Sequence, residues 1–310
     1  YDAIIFYAGL ALVFFTLTNI KKTFLKISLI IILVFSMFTY SKFDNEELLG
    51  KNKLNFLMID VGQGDSFLIK FPSGKTALID AGEANPFVDN GERVIIPLLD
   101  YLGINQIDYG FISHLDLDHY GGFVSLIYNK RINKVYRPLP DSGSKSIRLE
   151  KFLKEMKIKS GIYDKNSFDV GNTKIYFLND PYSYSYKKFS SNDRSGIIKV
   201  VYGKTSFLFV GDCEHPAEYF LASNFGNMLD SDVLKVGHHG SATGSSKAFL
   251  NLVSPDISLV SAGVKNKFNH PAESVINSLE KINSEIYRTD ELGAVLLQSD
   301  GNIINKVDWK

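Results

Sequence analysis

His114-Leu115-Asp116-Leu117-Asp118-His119 packs four side chains able to bind a metal ion into six positions. Behind it runs a strand-like stretch, 107–113. Ahead lie Gly121-Gly122 and the apolar run 123–128. That order puts the hexapeptide on a strand-to-helix loop, where irregular backbone aims several ligands at one point. A merely solvated loop has no reason to alternate leucine with His and Asp at a metal-ligand spacing. The fold therefore turns on where the remaining ligands sit.

Two further strand ends supply candidates. The apolar run 207–210 ends in Gly211-Asp212, and 233–236 ends in Gly237-His238-His239-Gly240-Ser241. Strand ends at one edge of a layered α/β protein converge as ligand sites do. A carboxylate such as Asp212 can bridge two cations. Upstream, 54–60 and 67–71 read as strands around the glycine turn 61–66, and a third strand, 76–79, ends in Asp80-Ala81-Gly82. Residues 91–102 have helical spacing, with Val94, Ile95, Leu98, Leu99 and Leu102 on one face and Gly103 as the stop. Strands at 174–178 and 197–202 precede the second half. There, helices at 214–224, 246–253 and 271–282 alternate with strands, and three strands close the chain. Strands first, then alternating strand and helix, predict an α/β sandwich.

The 310 residues are 45% hydrophobic, with 34 basic and 34 acidic side chains, which excludes a disordered chain and a globally basic one. Cys213 is the only cysteine, so there is no disulfide framework and no paired-cysteine metal site. It reads as a small buried residue. The chain opens on Tyr1, so a longer protein is expected. Two apolar runs, 3–20 and 24–40, each approach the roughly 20 residues that cross a bilayer. They predict a transmembrane hairpin over 1–41, and the composition change after it a polar linker over 42–52 and one large domain with its own core over 53–310. Lys21 and Lys22 in the tight turn belong in the cytoplasm by the positive-inside rule. The membrane is then the expected location, with the domain on the extracytoplasmic side. Residues 130–188 carry 14 Lys/Arg against 6 Asp/Glu, interleaved with Tyr136, Tyr163, Tyr176, Tyr182, Tyr184 and Tyr186. A lysine-rich solvated face and a nucleic-acid contact are both open readings of that stretch.

The motifs HLDLDH at 114–119, Asp80 in LIDAG, Asp212 in GDCE and His238 in KVGHHGS resemble the successive motifs of the metallo-β-lactamase fold. DVGQGDS at 60–66, Ser191-Asn192 to Ser195, LKVGHHGS and FNHPAES at 268–274 are similar to stretches of the ComEC family of competence channel proteins. The resemblance covers roughly 53–310. It implies an αβ/βα four-layer sandwich and a site for two divalent metal ions. His114 and Asp116 would hold one; Asp118, His119 and one of the tandem histidines, preferably His238, the other. Asp212 would bridge them, and Asp80 would orient a ligand histidine. The chain departs from the usual pattern in having Asp116 at the second position and no histidine between 119 and 215. Asn192 fills that gap, as a weak ligand, a substrate contact or simply a turn residue. Lys235, His239, Ser241 and Thr243 are candidates for holding a phosphate. His270 reads as a cap ahead of a helix.

The implied activity is metal-dependent phosphodiester hydrolysis, with Asp118, His119 and Asp212 at its centre. The expected substrate is one strand of incoming DNA during competence. A choline-phosphate or lipid phosphodiester, or a non-catalytic DNA-guiding role, are the alternatives. An oxygen-rich ligand set favours Mn2+, with Zn2+ possible. Expected partners are single-stranded or duplex DNA, the channel region of the same protein and other uptake machinery. No nucleotide cofactor is expected.

Overall fold

A computed structural model of the chain describes residues 48–308 and scattered positions between 23 and 35. The hairpin expected over 1–41 and most of the linker lie outside the described residues. Among those described, no helix is long and apolar enough to cross a membrane. Leu49–Lys310 forms one compact unit.

The unit starts with three antiparallel strands, β1 (Leu54–Met58), β2 (Phe67–Lys70) and β3 (Thr76–Ile79). A π-helical turn, Gly91–Ile95, then leads into α1 (Ile96–Tyr101). The sequence predicts one continuous helix here. Pro97 has no N–H to donate to the preceding turn, and Ile96 donates back five residues, to Gly91. Next come β4 (Ile107–Phe111), α2 (Leu117–Tyr128), β5 (Ile132–Arg137), α3 (Ser144–Glu155) and β6 (Lys159–Ile162). β3 through β6 pair in parallel, so each crossover must return over one face of the sheet, and helices do this.

The second sheet grows by the same logic. β7 (Ser167–Val170), β8 (Thr173–Phe177), β9 (Ile198–Tyr202) and β10 (Thr205–Phe209) are antiparallel, with the short helix α4 (Tyr184–Lys188) between β8 and β9. α5 (His215–Phe225), β11 (Val233–Lys235), α6 (Lys247–Val253), β12 (Ile257–Val260), α7 (Glu273–Lys281) and β13 (Glu285–Arg288) continue it in parallel. α8 (Thr289–Leu292) returns the chain to the first sheet, where β14 (Val295–Ser299) and β15 (Ile304–Val307) pair beside β1. The orders are β15-β14-β1-β2-β3-β4-β5-β6 and β13-β12-β11-β10-β9-β8-β7.

Aromatic side chains join the two sheets face to face. Phe56 of β1 stacks on Phe207 of β10 with ring centroids 3.7 Å apart, and Phe111 of β4 meets Phe177 of β8 edge-on. A second apolar layer, including Leu221, Leu234, Phe249, Val260 and Leu279, lies between the second sheet and α5 to α7. The result is the four-layer αβ/βα arrangement. The carboxyl ends of the parallel strands in both sheets meet at one edge, where the candidate ligands lie.

Candidate metal centre

β4 delivers Ser113 and His114, and Asp116 sits in extended conformation as the residue before α2. Asp118 and His119 occupy the first turn of α2. That turn lies directly against the segment after β3. A side chain on Gly121 would stand 2.2 Å from the backbone nitrogen of Ala84, and one on Gly122 the same distance from the carbonyl of Ala81. Ala81 N–H donates to the carbonyl of His119 at 2.7 Å. The two glycines thus let Asp80 reach beneath α2.

Three histidines are locked in one tautomer. Ser113 Oγ donates to Asp80 Oδ2 at 2.6 Å, which leaves it to accept from His114 Nδ1 at 3.1 Å. His119 Nδ1 donates to Asp80 Oδ2 at 2.9 Å. His239 Nδ1 donates to the carbonyl of Ser261 at 2.9 Å. Each outer nitrogen is taken, so each Nε2 points inward, where all three are buried without a hydrogen-bond partner. Buried polar atoms without a partner are rare, and three converging on one point fit a cation site.

Asp212 Oδ2 lies at the middle, 3.2 Å from His119 Nε2, 3.6 Å from His239 Nε2 and 3.8 Å from His114 Nε2. Asp118 Oδ2 is 3.6 Å from His239 Nε2, and Asp116 Oδ2 is 3.7 Å from His114 Nε2. Four overlapping ligand groups result among the described residues, His114–His119–Asp212, Asp118–His119–His239, Asp65–Asp212–His239 and Asp65–Asp80–His119. The residues present therefore fit two cations, with Asp212 placed to bridge.

The geometry favours His239 over His238 as the second histidine ligand. Both lie in left-handed backbone, at φ +54 and +48. That kink turns His239 under Asp212, buried, while the half-buried His238 stands at the mouth, its Nδ1 3.1 Å from Glu214 and its Nε2 3.8 Å from Asp212 Oδ2. Ser241 and Thr243 are joined to each other at 2.9 Å, and Thr243 donates to Glu214 at 2.6 Å. These hydroxyls are engaged at the mouth and do not enter the cluster. His270 lies against His238, with ring centroids 5.5 Å apart. Asn192 opens the turn before β9, whose neighbours Ser191 and Arg194 line a cavity of about 450 Å3 beside His114.

Lys235, a candidate phosphate binder, is buried behind the cluster. It is ion-paired with Asp65, donates to the carbonyl of Gly211 at 2.8 Å and lies 3.6 Å from Asp212 Oδ1. It faces Asp212 from the side opposite the histidines, which leaves Oδ2 to them. Ser113 is the functional residue that sequence reading leaves without a role, and Asp65, with Gln63 on a glycine turn able to approach the site, is left between a site contact and plain turn chemistry. Their signals were the DVGQGDS turn and the position directly before His114. Gly64 lets that turn close on the site: a side chain there would meet the carbonyl of Asp118 at 2.4 Å.

Burial disfavours charge throughout the cluster, and specific partners decide the outcome. Burial pulls the His239 imidazole down, but Asp212 and Asp65 push it up to about 9. Burial likewise opposes the His119 charge, and Asp212 and Asp80 raise it well above the usual range. Burial and the neighbouring His119 hold His114 down to about 4. Burial would raise the Asp212 carboxyl, yet His119 and His239 keep it well below its ordinary value. In the metal-free protein, protons on His119 and His239 stand where cations would.

Residues 59–173 match the metallo-beta-lactamase superfamily. The chain is 29% identical to ComE operon protein 3 of Bacillus subtilis over 252 residues, covering 77% of this chain and 32% of that protein. It is 31% identical to competence protein ComA of Neisseria gonorrhoeae over 253 residues, covering 80% of this chain and 33% of that one. It therefore spans about a third of the length of these relatives. Among solved structures, the metallo-beta-lactamase fold protein YhfI of B. subtilis aligns with a TM-score of 0.53 at 13% identity, over 80% of this chain and all of that one. The diiron β-hydroxylase CmlA of Streptomyces venezuelae aligns with a TM-score of 0.54 at 15% identity, over 80% and 54%. These two establish the fold alone. Fold, ligand cluster and homology agree: the chain carries a metallo-β-lactamase-superfamily domain with a His/Asp metal-binding cluster and is a homologue of the ComEC-type competence proteins.

Proposed function

We propose that the chain hydrolyses phosphodiesters in DNA and degrades one strand during uptake. The observation that carries the hydrolytic reading is the convergence of three partnerless imidazole nitrogens on Asp212 Oδ2. The names of the competence relatives support DNA as substrate. Two divalent cations held by His114, Asp116, Asp118, His119, Asp212 and His239 would supply an activated water and neutralise phosphate charge. The chain's own residues do the rest. Asp80 and Ser113 fix two of the imidazoles, Ser261 fixes the third, and Lys235 orients Asp212. Burial favours a neutral Asp118, but His239 and His119 hold its carboxyl below the ordinary value, so it serves as an anion and not as an acid. Carboxylates make up half of this set, and we infer a preference for Mn2+ over Zn2+ in activity.

We also place the chain in the membrane by residues 1–41, with the hydrolase domain outside the cytoplasm. The apolar runs at 3–20 and 24–40 and the lysines between them support this. Protease added to intact protoplasts should release the domain. Full protection until the membrane is permeabilised would reverse the orientation.

The activity is tested with the full chain in detergent, Mn2+, labelled single- and double-stranded DNA, and a choline-phosphate ester. Cleavage of DNA, lost in Asp212→Ala with the fold retained, is the expected result. Turnover of the choline ester alone would make the substrate a headgroup phosphodiester. Retention of wild-type turnover by a folded Asp212→Ala protein would dismiss the two-metal assignment.

A further inference from the structure

The six tyrosines of the basic middle region separate by burial. Tyr163 and Tyr186 are core residues, and Tyr136 and Tyr176 pack against the two apolar clusters. Tyr182 and Tyr184, by contrast, are 63% and 74% exposed. They flank the start of α4, whose last two residues, Lys187 and Lys188, are exposed too. Lys188 Nζ stands 4.3 Å over the Tyr184 ring, which sets a cation beside an open aromatic face.

This strip is bonded to the wall of the cavity beside His114. Arg194 donates to the carbonyl of Lys187 at 3.0 Å and pairs with Asp141 at 3.1 Å. The Tyr186 hydroxyl donates to the carbonyl of Arg194 at 3.0 Å. The cavity itself presents Pro138, Leu139 and Phe189 together with Lys145, Arg194 and Asp141, Lys145 being paired with Asp116 and Arg194 with Asp141 at the surface. An apolar pocket with cations at its lip, continued by exposed tyrosines and lysines, is what an unpaired base and its neighbours require. Bases stack on rings while phosphates follow the charge. A duplex keeps its bases stacked on one another and cannot offer them to Tyr184.

We propose that a single-stranded polynucleotide runs from the metal centre through this cavity and along α4. The nucleoside beside the cleaved phosphate occupies the cavity, and the following bases lie on Tyr184 and Tyr182. Lys187, Lys188 and Arg194 hold the phosphates between them. This path rests on the phosphodiesterase reading for its direction of approach, but its test does not need turnover.

The full chain in detergent, stripped of metal with a chelator, is titrated against a short fluorescein-labelled single strand and the blunt duplex of the same sequence. Anisotropy should show tighter binding of the single strand. Tyr184→Ala and Tyr182→Ala should each weaken it by roughly tenfold. Lys187→Ala with Lys188→Ala should flatten the dependence of affinity on salt. Tyr101→Ala is the control: its ring is 53% exposed at the far end of α1. Equal affinity for duplex, no measurable binding of either, or strip variants that behave like Tyr101→Ala would each overturn the proposal. Cleavage is then measured separately with Mn2+. Strand binding through the strip without DNA cleavage keeps the path and removes the nuclease. DNA cleavage with unaffected strip variants keeps the nuclease and removes the path.

Discussion

His238 and His239 are adjacent in sequence, and only backbone conformation separates their roles. Both follow the same strand, so sequence order alone pointed to the first. The left-handed kink reverses that order in space. His239→Ala should therefore lower the bound metal by about one equivalent, as read by elemental analysis, while His238→Ala keeps full occupancy. Equal losses in both would return His238 to the ligand set. Protonation gives a second measurement at this scale. His239 is pushed up to about 9 and His119 well above its ordinary value in the metal-free protein, so both carry protons at neutral pH. Metal loading must displace those protons. Calorimetric titrations in buffers of different ionisation enthalpy should report about two protons released at pH 7, with the His239 share lost as pH passes about 9. For the metal-free fold the sign runs the same way. A histidine raised from 6.5 to about 9 stabilises fully below 6.5 and loses that contribution as pH rises through 9.

The strand-to-helix elements carry the site, and here the sequence was most readable. β4 with its loop, β10 with Asp212 and β11 with the tandem histidines all announced themselves as apolar runs ending in ligand residues. β5 to β7 did not. Their exposed Asn133, Lys159 and Asp169 disguise strand periodicity, because these strands lie toward the sheet edges and are covered on one side only. The basic stretch likewise could not be divided by sequence. Tyr163 and Tyr182 look alike until burial separates them. Arg137 reads as surface charge, yet it is nearly buried and held at 2.7 Å by Glu150. A test at this scale concerns the start of α2. Gly122→Ala places a methyl 2.2 Å from the Ala81 carbonyl, a rigid backbone atom. It should cost about 1–3 kcal/mol of stability as overpacking does. By lifting α2 it should also weaken metal retention more than Gly74→Ala, whose site is spatially open and whose only cost is that of its own positive φ, +84. Equal metal content in the two variants would show that α2 tolerates the shift.

Across the whole molecule the cluster is a junction between two sheets. Asp80, His114 and His119 come from the first, Asp212, His239 and Lys235 from the second, and Asp65 from the turn between β1 and β2. Five carboxylates, Asp65, Asp80, Asp116, Asp118 and Asp212, surround one buried ammonium, Lys235. Burial disfavours that charge, but Asp65 and Asp212 raise its affinity for the proton above the ordinary value, so it stays charged. Two divalent cations with Lys235 balance the five carboxylates. Protons on His119 and His239 with Lys235 leave an excess of two negative charges, softened by Lys145, which pairs with Asp116 at 2.5 Å near the surface. Removing metal therefore unties the sheets and leaves repulsion between them. Ligand binding stabilises the folded state by mass action, about 4 kcal/mol for a site at a thousandfold excess over its dissociation constant. In a domain of this size that corresponds to a rise in melting temperature on the order of 10 °C. Mn2+ should produce such a shift in the chelator-stripped chain. His119→Ala, which removes the imidazole nearest to Asp212 Oδ2, should abolish most of it, whereas Asp116→Asn should remove only part. A wild-type melting temperature indifferent to Mn2+ at millimolar concentration would mean that the sheets are held together by their aromatic interface alone.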